Sequence, residues 1–336
     1  MSSPSATAIA DDLVANGQFR EAIRALTAAN QQQRDAALEA RLVELRRDAP
    51  FPGTRAAVPQ PGPPRFRDPF RRVVGVPEIP REKLTIKRLR SAIFRHGSLL
   101  VRGLIDEQRV ARLVDDIDRS FDAYDAHAGG TPLSDTAPWF VPFEPRAADE
   151  SVPREWIRDG GGVVAVDSPR SLFDVIEAFD SAGLRELITA YLGEEPLLLA
   201  NKWTLRRVEP GGTPDWHQDG AFLGADIRSL DVWVSLSHCG VDAPGLDVVG
   251  RRLPGIVEVG TNGANFDWSV GPGTVEALAP DGFVRLEFRP GDALIFDHLL
   301  LHRTAMHPDM SQRRYAIEAW FTAPSAYPPG GLPILY

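Results

Sequence analysis

The chain has 336 residues, 43% of them hydrophobic, which is enough for one large domain with a real core and an appendage. Its 46 acidic residues outnumber its 37 basic ones, giving a formal charge of −9 and disfavouring a nucleic-acid partner, since affinity for phosphate needs a basic face. Cys239 is the lone cysteine, the N-terminus lacks the basic start and apolar run of a secretion signal, and no apolar stretch approaches the ~18 residues of a membrane span. The expectation is a cytoplasmic protein with no membrane attachment.

Residues 1–49 read as a helical segment. Ile9, Leu13, Phe19, Ile23 and Leu26 recur at three- and four-residue intervals, Asn16-Gly17 marks a break, and a third helix runs through Leu38, Leu42 and Leu45. A hairpin packed on the main domain, or on a second copy, accounts for it better than a peptide-binding module. Residues 50–79 hold seven prolines between Pro50 and Pro69 and read as an extended linker or strap. The main domain is expected over 80–336.

That domain opens with a helix from Lys83 to Phe94, a buried strand from Ser98 to Leu104, and an amphipathic helix from Asp106 to Tyr124 with Val110, Leu113, Ile117 and Phe121 on one face. His96, before Gly97, reads as a helix-end residue. Residues 125–167 read as a long loop in which Trp139, Phe140, Phe143 and Trp156 either wall a pocket or form a small satellite cluster. A helical stretch from Ser168-Pro169 to about Leu192 stops at Gly193. Pro196 to Val208 reads as a strand with Lys202, Thr204 and Arg206 on one face. Leu230 to Ser237 alternates, with Asp231, Trp233, Ser235 and Ser237 on one face.

The chemistry concentrates in two stretches. In Trp216-His217-Gln218-Asp219-Gly220, a histidine and a carboxylate two residues apart on a strand share a face, while Gln218 points away. The run from Arg289-Pro290-Gly291-Asp292 to His298 and His302 supplies a third ligand, and spacing alone does not choose between those two histidines. Two histidines and one carboxylate form the facial triad of non-haem Fe(II) oxygenases, which leaves coordination positions open for co-substrate and dioxygen.

From about Ser98 to Phe321 the chain resembles the phytanoyl-CoA dioxygenase family of Fe(II)/2-oxoglutarate oxygenases. The resemblance is carried by Trp216-His217-Gln218-Asp219, by Pro290-Gly291-Asp292-Ala293-Leu294-Ile295-Phe296, and by His302 followed by Arg313. It implies a mainly β fold with flanking helices, a double-stranded β-helix of cupin-like jelly-roll type. It implies Fe(II) held by His217, Asp219 and His302, with 2-oxoglutarate and dioxygen as co-substrates. Arg313 and Thr304 would hold the distal carboxylate of 2-oxoglutarate, Trp233 would line its pocket, and Lys202 would assist; Arg314, one residue on, would point to the other face. Where the family has Pro-Gly-Ser-His, this chain has Pro254-Gly255-Ile256. The implied activity is oxidation of a small organic metabolite with release of succinate and CO2. Hydroxylation is the first expectation. Desaturation, epoxidation or cyclisation by the same chemistry, and a metal-binding protein without turnover, are the alternatives.

Overall fold

A computed structural model describes residues 5–51, 64–147, 150–212, 214–280 and 282–336. Three helices lead, α1 (Ala6–Ala15), α2 (Phe19–Gln32) and α3 (Ala36–Asp48), broken at Asn16-Gly17 as the periodicity predicts. Ser5 and Asp35 cap α1 and α3 by accepting bonds from the first free amides. Their apolar faces close over Phe173, Leu197 and Leu335 of the main domain. A buried ion cluster ties the same surfaces: Glu39 in α3, 1% exposed, takes Arg170 Nε at 2.6 Å and Arg34 Nε at 3.0 Å, while Arg34 also grips Asp174 at 2.7 Å. The proline-rich stretch from Pro52 to Pro63 lies outside the described residues. Its end lies along helix Ile86–His96, where Asp68 accepts from Ser91 and pairs with His96 at 3.2 Å.

Among the described residues twelve strands follow in chain order: β1 (Glu78–Pro80), β2 (Ser98–Arg102), β3 (Gly162–Val164), β4 (Leu197–Leu199), β5 (Thr204–Val208), β6 (Ser229–Ser235), β7 (Gly245–Val248), β8 (Val284–Leu286), β9 (Ala293–Phe296), β10 (His302–Ala305), β11 (Arg314–Thr322) and β12 (Pro333–Leu335). Nine of them form a major sheet whose path runs β1-β2-β9-β6-β11-β4-β12, with β5 beside β11 and β3 beside β5. A minor sheet, β10-β7-β8, faces it. This is the two-sheet jelly roll of the double-stranded β-helix, flanked by helices.

Strand parity sorts the side chains. In the major sheet Val232, Val234, Ile295, Ile317, Ala319 and Phe321 join the core shared with helices Glu107–Ala128, Pro169–Ser181 and Leu184–Leu192. The alternate positions Thr204, Asp231, Trp233, Phe296, Glu318 and Trp320 face a cavity whose far wall carries Leu246, His302 and Thr304 of the minor sheet. The expected strand over 196–208 is broken by a 3-10 turn, Ala200–Lys202, yet Lys202, Thr204 and Arg206 still reach that cavity. In the expected long loop, Phe140 and Phe143 are buried, Trp139 packs under Arg119 and Arg170, and Trp156 reaches the cavity mouth.

The Pro290-Gly291-Asp292 turn sets the start of β9. Gly291 has φ +87°, and a Cβ there would sit 2.1 Å from the Ile105 carbonyl, so only glycine fits. Asp292, 2% exposed, then accepts from the amides of Gly103 (2.9 Å) and Arg289 (2.8 Å) and from Arg102 (2.6 Å). The motif thus anchors β2 to β9 and has no role inside the cavity.

Candidate active site

His217 and His302 face each other across a single antiparallel bridge, each amide donating to the other's carbonyl at 2.9 and 3.0 Å. After His217 the strand stops. Asp219 has helical backbone, φ −60° and ψ −26°, and leads into the short helix Gly220–Leu223, so a turn and not a pleat delivers the carboxylate. Gly220 lets the turn pack closely: a Cβ would lie 2.3 Å from Ile256 Cδ1, which would have to shift, and 3.0 Å from the His298 carbonyl. Gln218, fully buried, points away as expected. Its amide donates to the carbonyls of Gly255 and Leu299 and accepts from the Val257 amide, pinning the loop that carries the departed Pro-Gly-Ile segment.

One ligand atom from each of His217, Asp219 and His302 lies within 4.8 Å of the other two. His302 Nε2 is 3.7 Å from Asp219 Oδ2. Both histidines direct Nδ1 at a backbone carbonyl, His217 at Asp215 (3.0 Å) and His302 at Leu300 (3.1 Å). Those contacts place the ring proton on Nδ1 and leave Nε2 with a lone pair for a metal. Burial, reinforced by the neighbouring His217, pushes His302 below the usual imidazole range, which keeps it neutral and ready to ligate. His298 has a different job: Nδ1 meets Ser229 Oγ at 2.9 Å and Nε2 the Ala225 carbonyl at 3.3 Å, away from the cluster.

The structure separates the two adjacent arginines in the opposite sense to the expectation. Arg313 lies at the surface with its Nε 2.7 Å from Glu209 and its side chain 44% exposed, and it does not reach the cavity. Arg314 is 3% exposed, lines the cavity with Thr304 and His217, and stacks its guanidinium 5.5 Å from the Trp233 ring. The cause is parity: Ala316, Glu318 and Trp320 face inward, so Arg314 does too, and Arg313 shares the outer face with Tyr315. Arg314 donates to the Gly245 carbonyl at 3.2 Å, but its Nε and the Trp233 indole N–H are both buried without a partner. Burial pushes the Arg314 guanidinium below its usual range.

Acidic and basic groups also meet deeper in the cavity. Glu318 accepts from Arg206 and Thr204, both at 2.8 Å; burial would raise it, but the Arg206 charge and hydrogen bond hold it at about 2. Asp231, buried on the same wall, is pushed well above the carboxylate range by desolvation and by the charges of Glu318 and Asp219. Glu318 was not singled out from the sequence, and Arg206 was placed only by parity, on the face of Lys202 and Thr204. The signal for Glu318 is present in β11, where it lies four residues from Arg314 and so on the same face of a strand otherwise mostly apolar.

A jelly roll with two histidines and a carboxylate gathered at one end of its cavity defines a class of protein, the non-haem iron oxygenases. The chain belongs to the phytanoyl-CoA dioxygenase (PhyH) family, whose match covers residues 93–314. It is accordingly an Fe(II)- and 2-oxoglutarate-dependent oxidoreductase that uses dioxygen. Among solved structures it is similar to EctD from S. alaskensis with 2-oxoglutarate and 5-hydroxyectoine, at 17% identity over 69% of this chain and 74% of that one, TM-score 0.49. It is similar also to EvdO2 from Micromonospora carbonacea var. aurantiaca complexed with 2-oxoglutarate, at 21% identity over 70% and 90%, TM-score 0.46. A third is the non-heme alpha ketoglutarate dependent epimerase SnoN from nogalamycin biosynthesis, at 16% identity over 73% and 86%, TM-score 0.46. No curated protein matches the sequence. Among the described residues no helix is long and apolar enough to cross a membrane.

Proposed function

We propose that this protein hydroxylates a small organic metabolite in the cytoplasm, consuming one dioxygen and one 2-oxoglutarate and releasing succinate and CO2. Fe(II) is held by Nε2 of His217 and His302 and by the Asp219 carboxylate. When bound, the metal activates dioxygen for oxidation of both the keto acid and the substrate. Arg314, and not Arg313, takes the distal carboxylate of 2-oxoglutarate, with Thr304 and the Trp233 indole N–H beside it.

The observation that carries this reading is a pair of buried donors without hydrogen-bond partners among the described residues, Arg314 Nε and Trp233 Nε1, in adjoining pockets that share His217, Thr304 and Glu318, the triad lying in the inner one. A buried guanidinium without a carboxylate is costly, and a bound carboxylate repairs it through two parallel hydrogen bonds. The remaining groups shape the pocket: the Arg206–Glu318 ion pair is neutral overall, and burial biases Asp231 toward its uncharged form, which lessens repulsion of a dianionic co-substrate.

Anaerobic titration with Fe(II) and then 2-oxoglutarate tests it through the weak visible charge-transfer band of the chelate. His302→Ala abolishes the band, and Arg313→Ala leaves it in place. A band that survives loss of His302 overturns the ligand assignment.

A further inference from the structure

We infer that the outer half of the cavity binds a planar ring compound bearing one anionic group, with its ring on Trp268 and Phe222 and its anion on Lys202. The inference rests on the proposed function and names the substrate class of that same site.

The inner pocket around the triad holds only about 160 Å³, but it adjoins an outer one of about 1140 Å³ with which it shares Lys202, His217, Phe222 and Thr304, room for a drug-sized ligand. Its mouth is lined by four large aromatic side chains left open to solvent: Trp156 is 67% exposed, Phe266 53%, Phe222 44% and Trp268 40%. Such a group of exposed rings marks a contact surface and is not needed for packing. Their geometry is ordered. Phe266 and Trp268 stack with planes 4° apart and centroids at 5.2 Å, and Trp268 stands edge-on to the ligand His217 at 5.8 Å. On the other side Phe222 lies nearly parallel to His217, at 6.2 Å and 28°. A ring resting on either face is therefore delivered beside the metal position.

Charge accounting supplies the second half. Of the cations lining the cavity, Arg158 pairs with Asp125, Arg206 with Glu318 and Arg207 with Asp118. Two are left without a carboxylate among the described residues, Arg314 and Lys202. Lys202 is largely buried, sits with Nζ 4.4 Å over the Phe222 ring, and is pushed below its usual range by burial, with Asp219 acting in the opposite sense. The strand register keeps the two cations apart. Arg314 is opposite Val208, Glu318 is opposite Thr204, and Lys202 lies beyond that pair. At about 3.3 Å per residue the four steps from Val208 to Thr204 alone cover roughly 13 Å of backbone, so the two cations spring from well-separated positions. With the distal carboxylate of the co-substrate on Arg314, Lys202 is left for a second anion, in place of the co-substrate role that the family resemblance implies for it.

The test uses the full-length protein loaded anaerobically with Fe(II) and 2-oxoglutarate, its loading confirmed by the charge-transfer band, and calorimetric titration with 2-naphthoate and 2-naphthalenemethanol. The acid binds about tenfold tighter than the alcohol, or more, as expected of one charge-assisted contact. Lys202→Met brings the acid down to the alcohol's affinity while the 2-oxoglutarate midpoint stays within about twofold, Lys202→Arg restores the preference, and Trp268→Leu weakens both probes. Equal affinities for acid and alcohol overturn the inference, as does failure of band-positive protein to bind 2-naphthoate. So does a Lys202→Met protein whose loss falls on 2-oxoglutarate, because Lys202 then serves the co-substrate. A protein that never develops the band refutes the iron and co-substrate reading itself, and this one with it.

Discussion

Replacing Arg314 by methionine separates two effects that usually travel together. In the free protein the guanidinium is 3% exposed, donates to the Gly245 carbonyl, and has a buried Nε without a hydrogen-bond partner among the described residues. Methionine removes an uncompensated buried charge and keeps most of the aliphatic volume, so apo Arg314→Met melts at the wild-type temperature or above it. Co-substrate binding moves the other way. Two charge-assisted hydrogen bonds contribute roughly 3 kcal/mol together after desolvation, so 2-oxoglutarate affinity falls about a hundredfold. Arg313→Met changes it by less than about twofold, because that side chain is 44% exposed and occupied with Glu209. The assay is anaerobic titration of the Fe(II) protein followed through its visible band, paired with melting curves of the apo forms. A hundredfold loss in Arg313→Met with little change in Arg314→Met refutes the reasoning, since it would mean that the strand parity seen here is not that of the working enzyme.

Three further outcomes are expected. Turnover in excess chloride or bromide yields product without halogen by mass spectrometry, because the Asp219 carboxylate, clustered with the two histidines, would take the coordination position a halide would need. Glu39→Ala lowers stability by about 3 kcal/mol in denaturant melts, because it leaves Arg170 without its carboxylate and Arg34 with one fewer at the seam between the N-terminal helices and the main domain. Asp116 is raised to about 8 by desolvation and then by Asp174. A carboxyl raised on folding holds a proton that the unfolded chain gives up near pH 4, so its contribution to stability falls as pH climbs from there toward 8. Asp116→Asn removes that slope: its melting temperature exceeds wild type at pH 8, and the gap closes at pH 4.

Much of this was legible in the sequence because local rules and tertiary context agreed. The helix breaks at Asn16-Gly17 and Gly193 and the alternation of β6 follow from short-range pattern, and the family resemblance picked out His217, Asp219 and His302, which the fold brings together. What misled was register across a turn. Residues 306–313 connect β10 to β11, and their geometry decides whether the first or second arginine of the pair turns inward. Counting from His302 favours Arg313. The strand's own pattern favours Arg314, because Tyr315, Ile317 and Ala319 alternate against Arg314 and Glu318, and an apolar face against helices leaves the charged face for the cavity. The helical turn at Asp219 was hidden for a different reason: it depends on Ile256 and His298, distant in sequence, crowding Gly220.

The reciprocal amide bonds between His217 and His302 have a bearing on metal traffic. Residues opposed in this way hold their Cα atoms about 5.5 Å apart by backbone alone, so two of the three residues proposed to hold iron stand ready before any ion arrives. A rigid, preformed pair of imidazoles with a carboxylate does not select iron by closing around it. Its divalent preference then follows the general order in which nickel and copper outbind Fe(II). Occupancy by iron in the cell is therefore a matter of supply, and protein purified over nickel resin in air will hold the wrong metal until it is stripped and reloaded under reducing conditions.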